Sequence, residues 1–152
     1  VVALGAGRGL DRAHHTFFWD YFPNDAIVWG LVDHNGEPRP LHRAYTLMAQ
    51  LLPEGAERIA LPDAPQGHLA PGAAEPADLS AVFLTRDPTG TLRLLAINQE
   101  RTARTLRLRR EGVPAFPTAV ATYDDPQGDI RSVALGGDSV SLPPRSVTLV
   151  TY

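Results

Sequence analysis

Cysteine is absent from the 152 residues. With it go the disulfide framework, the thiolate metal site and the cysteine nucleophile, and the redox compartment stays open. Long apolar runs are missing too: none approaches the ~18 residues that cross a bilayer. The first residues lack the charged-then-apolar order of a signal peptide. The chain opens on Val1, not Met, so its natural start is expected to lie upstream, together with any targeting signal. Basic excess is lacking as well. Fourteen Lys and Arg against 17 Asp and Glu leave a net charge of -3, which argues against a phosphate-binding surface and so against nucleic acid as a partner. Aromatic residues make up only 7% of the chain, so their distribution carries information.

They are concentrated. The stretch "FFWDYFPNDAIVWGL", Phe17 to Leu31, holds both tryptophans, three of the five phenylalanines and Tyr21. Such rings either form a core or stack on a ligand. Asp20, Asp25 and Asp33 flank them, and a carboxylate beside an aromatic ring can bond sugar hydroxyls while the ring covers the apolar face of a pyranose. Loop capping is the competing role for these aspartates, of equal weight for Asp20 and greater weight for Asp33.

Two regimes meet near Pro53. Before it, Leu41, Ala44, Tyr45, Met48, Leu51 and Leu52 in "PLHRAYTLMAQLL" recur at three-and-four spacing, one face of an amphipathic helix. Pro40 suits its first position and Pro53 ends it. After Pro53 the period becomes two. "ERIAL", "LSAVFLTRD", "TLRLLAIN", "ARTLRLR", "TAVATY", "IRSVAL", "SVSL" and "SVTLVTY" read as short strands, with "DPTG", "DDPQGD" and "LGGD" as turns. This predicts a mainly β chain with an antiparallel sandwich of about eight strands. Residues 62–78, rich in Pro, Ala and Gly, read as a long surface loop. Upstream, "HHTFFW" and "AIVWGLV" have strand character, with "DHNG" as a turn.

Other candidates yield little chemistry. "VVALGAGRG" has Leu10 where the dinucleotide fingerprint needs glycine, and no helix follows. The five histidines, His14, His15, His34, His42 and His68, show no ligand spacing, so no metal is expected there. "DDPQGD" has three carboxylates but suits a solvated hairpin turn better than a calcium loop. "RTARTLRLRR" reads as a half-buried strand, with Arg107 and Arg109 on its solvated face and Leu106 and Leu108 opposite. Glu100 ends a strand and could mimic a catalytic carboxylate, but its expected place is an exposed hairpin turn. No cofactor is implied.

The pieces together resemble a family. "FFWDYFPNDAIVWGLVDHNGEPRPLHRAYTLMAQLLP" resembles the final strand, loop, hairpin and helix of a (β/α)8 barrel from clan A glycoside hydrolases. There the eighth strand ends in a tryptophan, a Gly-Leu segment and an Asn-Gly or Asp-Gly turn commonly follow, and a basic residue with proline opens the last helix. The remainder, with "LRLLAINQERTARTLRL" and "LPPRSVTLVTY", is similar to the β-sandwich behind the barrel in xylosidase, arabinofuranosidase and endoglucanase families. The resemblance implies a barrel fragment over residues 1–53 and a sandwich over 54–152. It implies a carbohydrate substrate, and the remainder of the barrel as partner. Trp19 matches the tryptophan flooring the subsite beside the scissile bond; Asp20 and Tyr21 would emerge with it at the carboxyl end of the strand. In that clan the catalytic glutamates end the fourth and seventh strands, the former often in an Asn-Glu pair. This chain has no such dipeptide, so no catalytic residue is expected within it, and the chain alone is expected to be inactive. The competing reading is a non-catalytic carbohydrate-binding or structural β-sandwich module.

Overall fold

The computed structural model describes residues 30–61, 80–110, 112–125 and 128–152. One helix and ten strands occur among them, all strand pairs antiparallel. Helix α1 spans Pro40–Leu51. The strands are β1 Glu57–Ile59, β2 Ser80–Arg86, β3 Leu92–Asn98, β4 Arg104–Arg107, β5 Arg109–Arg110, β6 Val113–Pro114, β7 Ala119–Tyr123, β8 Arg131–Ser132, β9 Ser139–Leu142 and β10 Ser146–Thr151. Each of the eight segments expected from the sequence holds a strand. The unexpected pair is β5 and β6, a two-residue ladder that contains Pro114. A proline inside so short a segment erases the alternation by which strands are recognised.

Six strands form one sheet in the order β1-β2-β3-β10-β7-β8, and β4 pairs with β9 in a second. The second sheet packs on one face of the first through a core that includes Val82, Leu84, Leu94, Val120, Val140, Leu142 and Val150. Helix α1 covers the opposite face, where Leu47 and Leu51 meet Ala81, Phe83, Leu95, Tyr123 and Leu149. Adjacent residues of one strand thus enter different cores: Phe83 goes to the helix and Leu84 to the second sheet. That is why β2 is buried without interruption from Ala81 to Thr85, although a sandwich strand with one wet face would alternate.

Polar side chains join the layers. The Thr85 hydroxyl donates to the Leu51 carbonyl at 2.6 Å, satisfying one of the acceptors that every helix leaves open at its C-terminus. Asn98 is fully buried where β3 ends. Its amide nitrogen lies within bonding distance of the Thr102, Leu142 and Pro143 carbonyls, at 3.0, 3.2 and 2.9 Å, and its oxygen accepts from the Glu100 N–H at 3.1 Å. One side chain therefore pins the β3–β4 connection to the β9–β10 turn. That connection is not the hairpin expected from the sequence: β3 pairs with β2 and β10 and β4 with β9, so Glu100 lies on a crossing between sheets.

Candidate functional site

Trp19, Asp20 and Tyr21 lie outside the described residues, as does Asp25, and so does the expected loop at 62–78. The described residues begin at Gly30, just past the last ring of the aromatic stretch, with the segment that leads to α1.

That segment is a tight hairpin. Val32 and Pro38 form an antiparallel bridge. Between them the Asp33 N–H donates to the Glu37 carbonyl at 2.9 Å and the Gly36 N–H to the Asp33 carbonyl at 3.1 Å. Gly36 has φ +89°, a conformation costly to any residue with a Cβ. The Asp33 carboxylate accepts from the Asn35 and Glu37 N–H groups, both at 2.8 Å. The Glu37 bond chiefly holds its pKa below the usual carboxylate value. Asp33 therefore caps the turn at "DHNG", the role given greater weight for it in the sequence, with one oxygen committed to the backbone.

The hairpin delivers Arg39 in an extended conformation, and Pro40 starts the helix. Arg43, one turn on, donates to the Pro38 carbonyl through Nη1 and to Asp129 Oδ1 through Nε at 2.7 Å. This links hairpin, helix and the β7–β8 turn. Asp129 and Asp124, both from "DDPQGD", are thus ion-pair partners, Asp124 being held by Arg131 across the hairpin. Among the described residues no three histidine or acidic side chains converge as metal ligands would.

Glu100 is also engaged. Its carboxylate accepts from Arg104 through Nε at 2.9 Å and through Nη2, and the Arg104 bond chiefly lowers its pKa. An ionised carboxylate clamped by a guanidinium is unsuited to donate a proton as a general acid. Glu54 before β1 and Glu57 at its start are exposed, and Glu37 is exposed in the hairpin.

What periodicity did not reveal is that α1 carries two apolar stripes. Leu47, omitted from the expected face, has no exposed surface, and it lies with Leu51 against the sheet. Leu41 and Leu52, which the sequence placed on one apolar face with Leu51, are 45% and 51% exposed. At 100° per residue, Leu41, Tyr45 and Met48 fall on one stripe, which the C-cap Leu52 extends, with Leu47 and Leu51 roughly a quarter turn away; Met48 also packs at the margin of the core around Leu47. The i, i+4 spacing of Leu47 and Leu51 was the signal available.

Among solved structures, the chain is similar to the catalytic domain of a GH30 xylanase C from Talaromyces cellulolyticus, at 21% identity and TM-score 0.60 over 81% of this chain and 27% of that one. It is also similar to a glycoside hydrolase family 30 subfamily 8 xylanase from Clostridium acetobutylicum, at 14% identity and TM-score 0.56 over 81% and 30%. A GH30 endoxylanase from Clostridium papyrosolvens aligns at 15% identity and TM-score 0.51 over 82% and 31%. A comparison with family models finds no match, and one with curated protein sequences finds no significant one. The chain spans less than a third of each of these xylanase chains. At such identities the likeness is one of fold: the helix and sandwich described above are arranged as in part of those xylanase catalytic domains.

Proposed function

We propose that this chain is the C-terminal portion of a glycosidase acting on O-glycosidic bonds of plant-type or related polysaccharides. Residues 1–53 close a (β/α)8 barrel and residues 54–152 form the β-sandwich that buttresses it. Trp19, with Asp20 and Tyr21, forms the wall on which a sugar of the substrate stacks, and two glutamates outside this chain perform double displacement across the scissile bond. In this arrangement the chain contributes positioning, since a ring that fixes the pyranose beside the reacting carbon lowers the entropic part of the barrier.

The observation that carries the proposal is the second stripe of α1. A helix of an isolated sandwich needs one buried stripe, whereas the last helix of a barrel needs two, one for the sandwich and one for its neighbours in the barrel. Leu41 and Leu52 stand exposed where the second would pack. The xylanases with a similar fold have chains more than three times the length aligned here, which is room for the rest of a barrel.

The experiment is to express the complete reading frame that encodes this chain and assay hydrolysis of xylan and other neutral plant polysaccharides. The expected result is turnover, with kcat/KM reduced about 10- to 100-fold by Trp19→Ala, equivalent to about 1.4–2.7 kcal/mol of lost stacking. A whole protein inactive on every such substrate, or one indifferent to Trp19→Ala, refutes the respective half of the proposal.

A further inference from the structure

The hairpin before α1 carries a reactive pair that has no part in sugar binding, Asn35 followed by Gly36. An asparagine side-chain amide can be attacked by the main-chain nitrogen of the next residue, and glycine alone leaves that nitrogen with no side chain beside it. Both residues are exposed. The Asn35 side chain makes no hydrogen bond among the described residues, and nothing described lies within 4 Å of where a Cβ on Gly36 would stand. Asn98 is the opposite case: it is fully buried, Gln99 follows it, and its amide nitrogen is engaged by the Thr102, Leu142 and Pro143 carbonyls.

The turn restrains this pair. The Gly36 N–H donates to the Asp33 carbonyl at 3.1 Å, so the attacking nitrogen is already committed. The Asp33 carboxylate accepts from the N–H groups on either side of it, those of Asn35 and Glu37, both at 2.8 Å. To meet Asn35 Cγ, the Gly36 nitrogen has to leave the Asp33 carbonyl, and the peptide that joins the two residues has to swing about the Asn35 Cα–C bond. That swing pulls on the Glu37 bond as well. Reaction therefore waits for the turn to open, and the open fraction is set by the bonds that close it.

We propose that Asn35 is a site of spontaneous deamidation whose rate is governed by the Asp33 cap. In the opened turn the Gly36 nitrogen gives its proton to water and bonds to Asn35 Cγ; the Cγ–Nδ2 bond breaks, ammonia leaves, and a succinimide ring closes. Water then opens the ring at either carbonyl. One opening leaves an aspartyl residue at position 35, the other an isoaspartyl residue whose main chain runs through Cβ and Cγ and is one atom longer. Water is the only co-reactant, and each product places a new carboxylate beside Asp33 and Glu37. The longer chain alters the lead-in to α1. There the Arg39 N–H meets the Leu31 carbonyl at 2.9 Å across the base of the hairpin, and the Pro38 carbonyl accepts from Arg43.

The test is to age the full 152-residue chain in mildly alkaline buffer and follow the peptide that spans Asn35 by mass spectrometry, scoring isoaspartate separately from aspartate. The same chain in concentrated urea gives the rate without the turn. Isoaspartate is expected to accumulate at position 35 of the folded chain, with none at Asn98. In Asp33→Ala, which removes the acceptor for two N–H groups, it should form about tenfold faster, and in urea faster still. Asn35→Gln, which would have to close a larger ring, should leave the position silent. Unchanged amides in β2 and β3 report that each variant is folded. No product at position 35 of the folded chain overturns the proposal. Equal rates in the folded chain and Asp33→Ala, or in the folded chain and urea, overturn the role of the cap. Neither readout involves a glycan, so this proposal and the glycosidase reading fail separately.

Discussion

Leu47 and Leu41 are the same residue type on the same helix, less than two turns apart, yet one has no exposed surface and the other is 45% exposed. The inner stripe meets Phe83, Leu95 and Leu149; of the outer, Met48 packs at the margin of that same cluster while Leu41 and Leu52 are exposed. The sheet is the partner of the inner stripe; under the proposed function, the rest of a barrel would be the partner of the outer one. The residue type carries no sign of which partner a given leucine serves.

The two stripes should respond oppositely to mutation. Leu47→Ala removes a fully buried side chain from beneath the sheet and should cost about 2–5 kcal/mol in a urea denaturation. Leu41→Ala should change the same midpoint by no more than about 0.5 kcal/mol. Equal losses would erase the distinction on which the proposed function rests. Asn98→Ala comes next. It leaves the Leu142 and Pro143 carbonyls without their shared donor, and about 1–3 kcal/mol should be lost. Thr85→Val keeps the shape but removes the donor to Leu51, at a cost of about 1 kcal/mol.

The outer stripe should show itself in association rather than stability. The isolated chain is expected to self-associate through it, and Leu41→Glu with Leu52→Glu should shift sedimentation toward the monomer with the urea midpoint almost unchanged. A wild-type chain that stays monomeric at high concentration would argue that the stripe needs no partner.

The smallest effect is on the acid side. The Thr89 hydroxyl, and then the Arg93 guanidinium, hold the Asp87 carboxyl down to about 2 from an ordinary 3.8. Because the folded value lies below the unfolded one, this stabilisation is fully present above about pH 4 and is lost as pH falls through 2. The gap in urea midpoint between the wild type and Asp87→Asn should therefore narrow between pH 5 and pH 2. A constant gap would mean that the charge of Asp87 is not what stabilises its turn.

Much of the architecture was legible in the residues. Val, Leu, Ile and Thr in short runs between Pro and Gly turns located eight of the ten strands, and Pro40 and Pro53 bracketed the helix. The solvated arginine face was legible too: Arg107 and Arg109 are exposed while Leu106 and Leu108 are partly buried. What could not be read is which surface meets which. The run "AVFL" looks the same whether one or both faces are covered, and only the presence of α1 beneath the sheet decides. The crossing at Glu100 was missed for a related reason, since a turn shows that the chain reverses but not which sheet receives it. At the proposed sugar wall the sequence supplies Trp19, Asp20 and Tyr21 and the reason for choosing them. For Asp33, capping its own turn, the geometry bears out the weight given to its backbone role.

The central claim is that this chain is the non-catalytic end of a barrel whose carboxylates lie outside it. The direct measurement is release of reducing sugar from xylan and of chromophore from aryl glycosides, by this chain alone and by the chain refolded with the polypeptide encoded immediately upstream. The account predicts none above a buffer blank from the chain alone, and turnover from the reassembled pair. Turnover by the chain alone, or none by the pair, would contradict it.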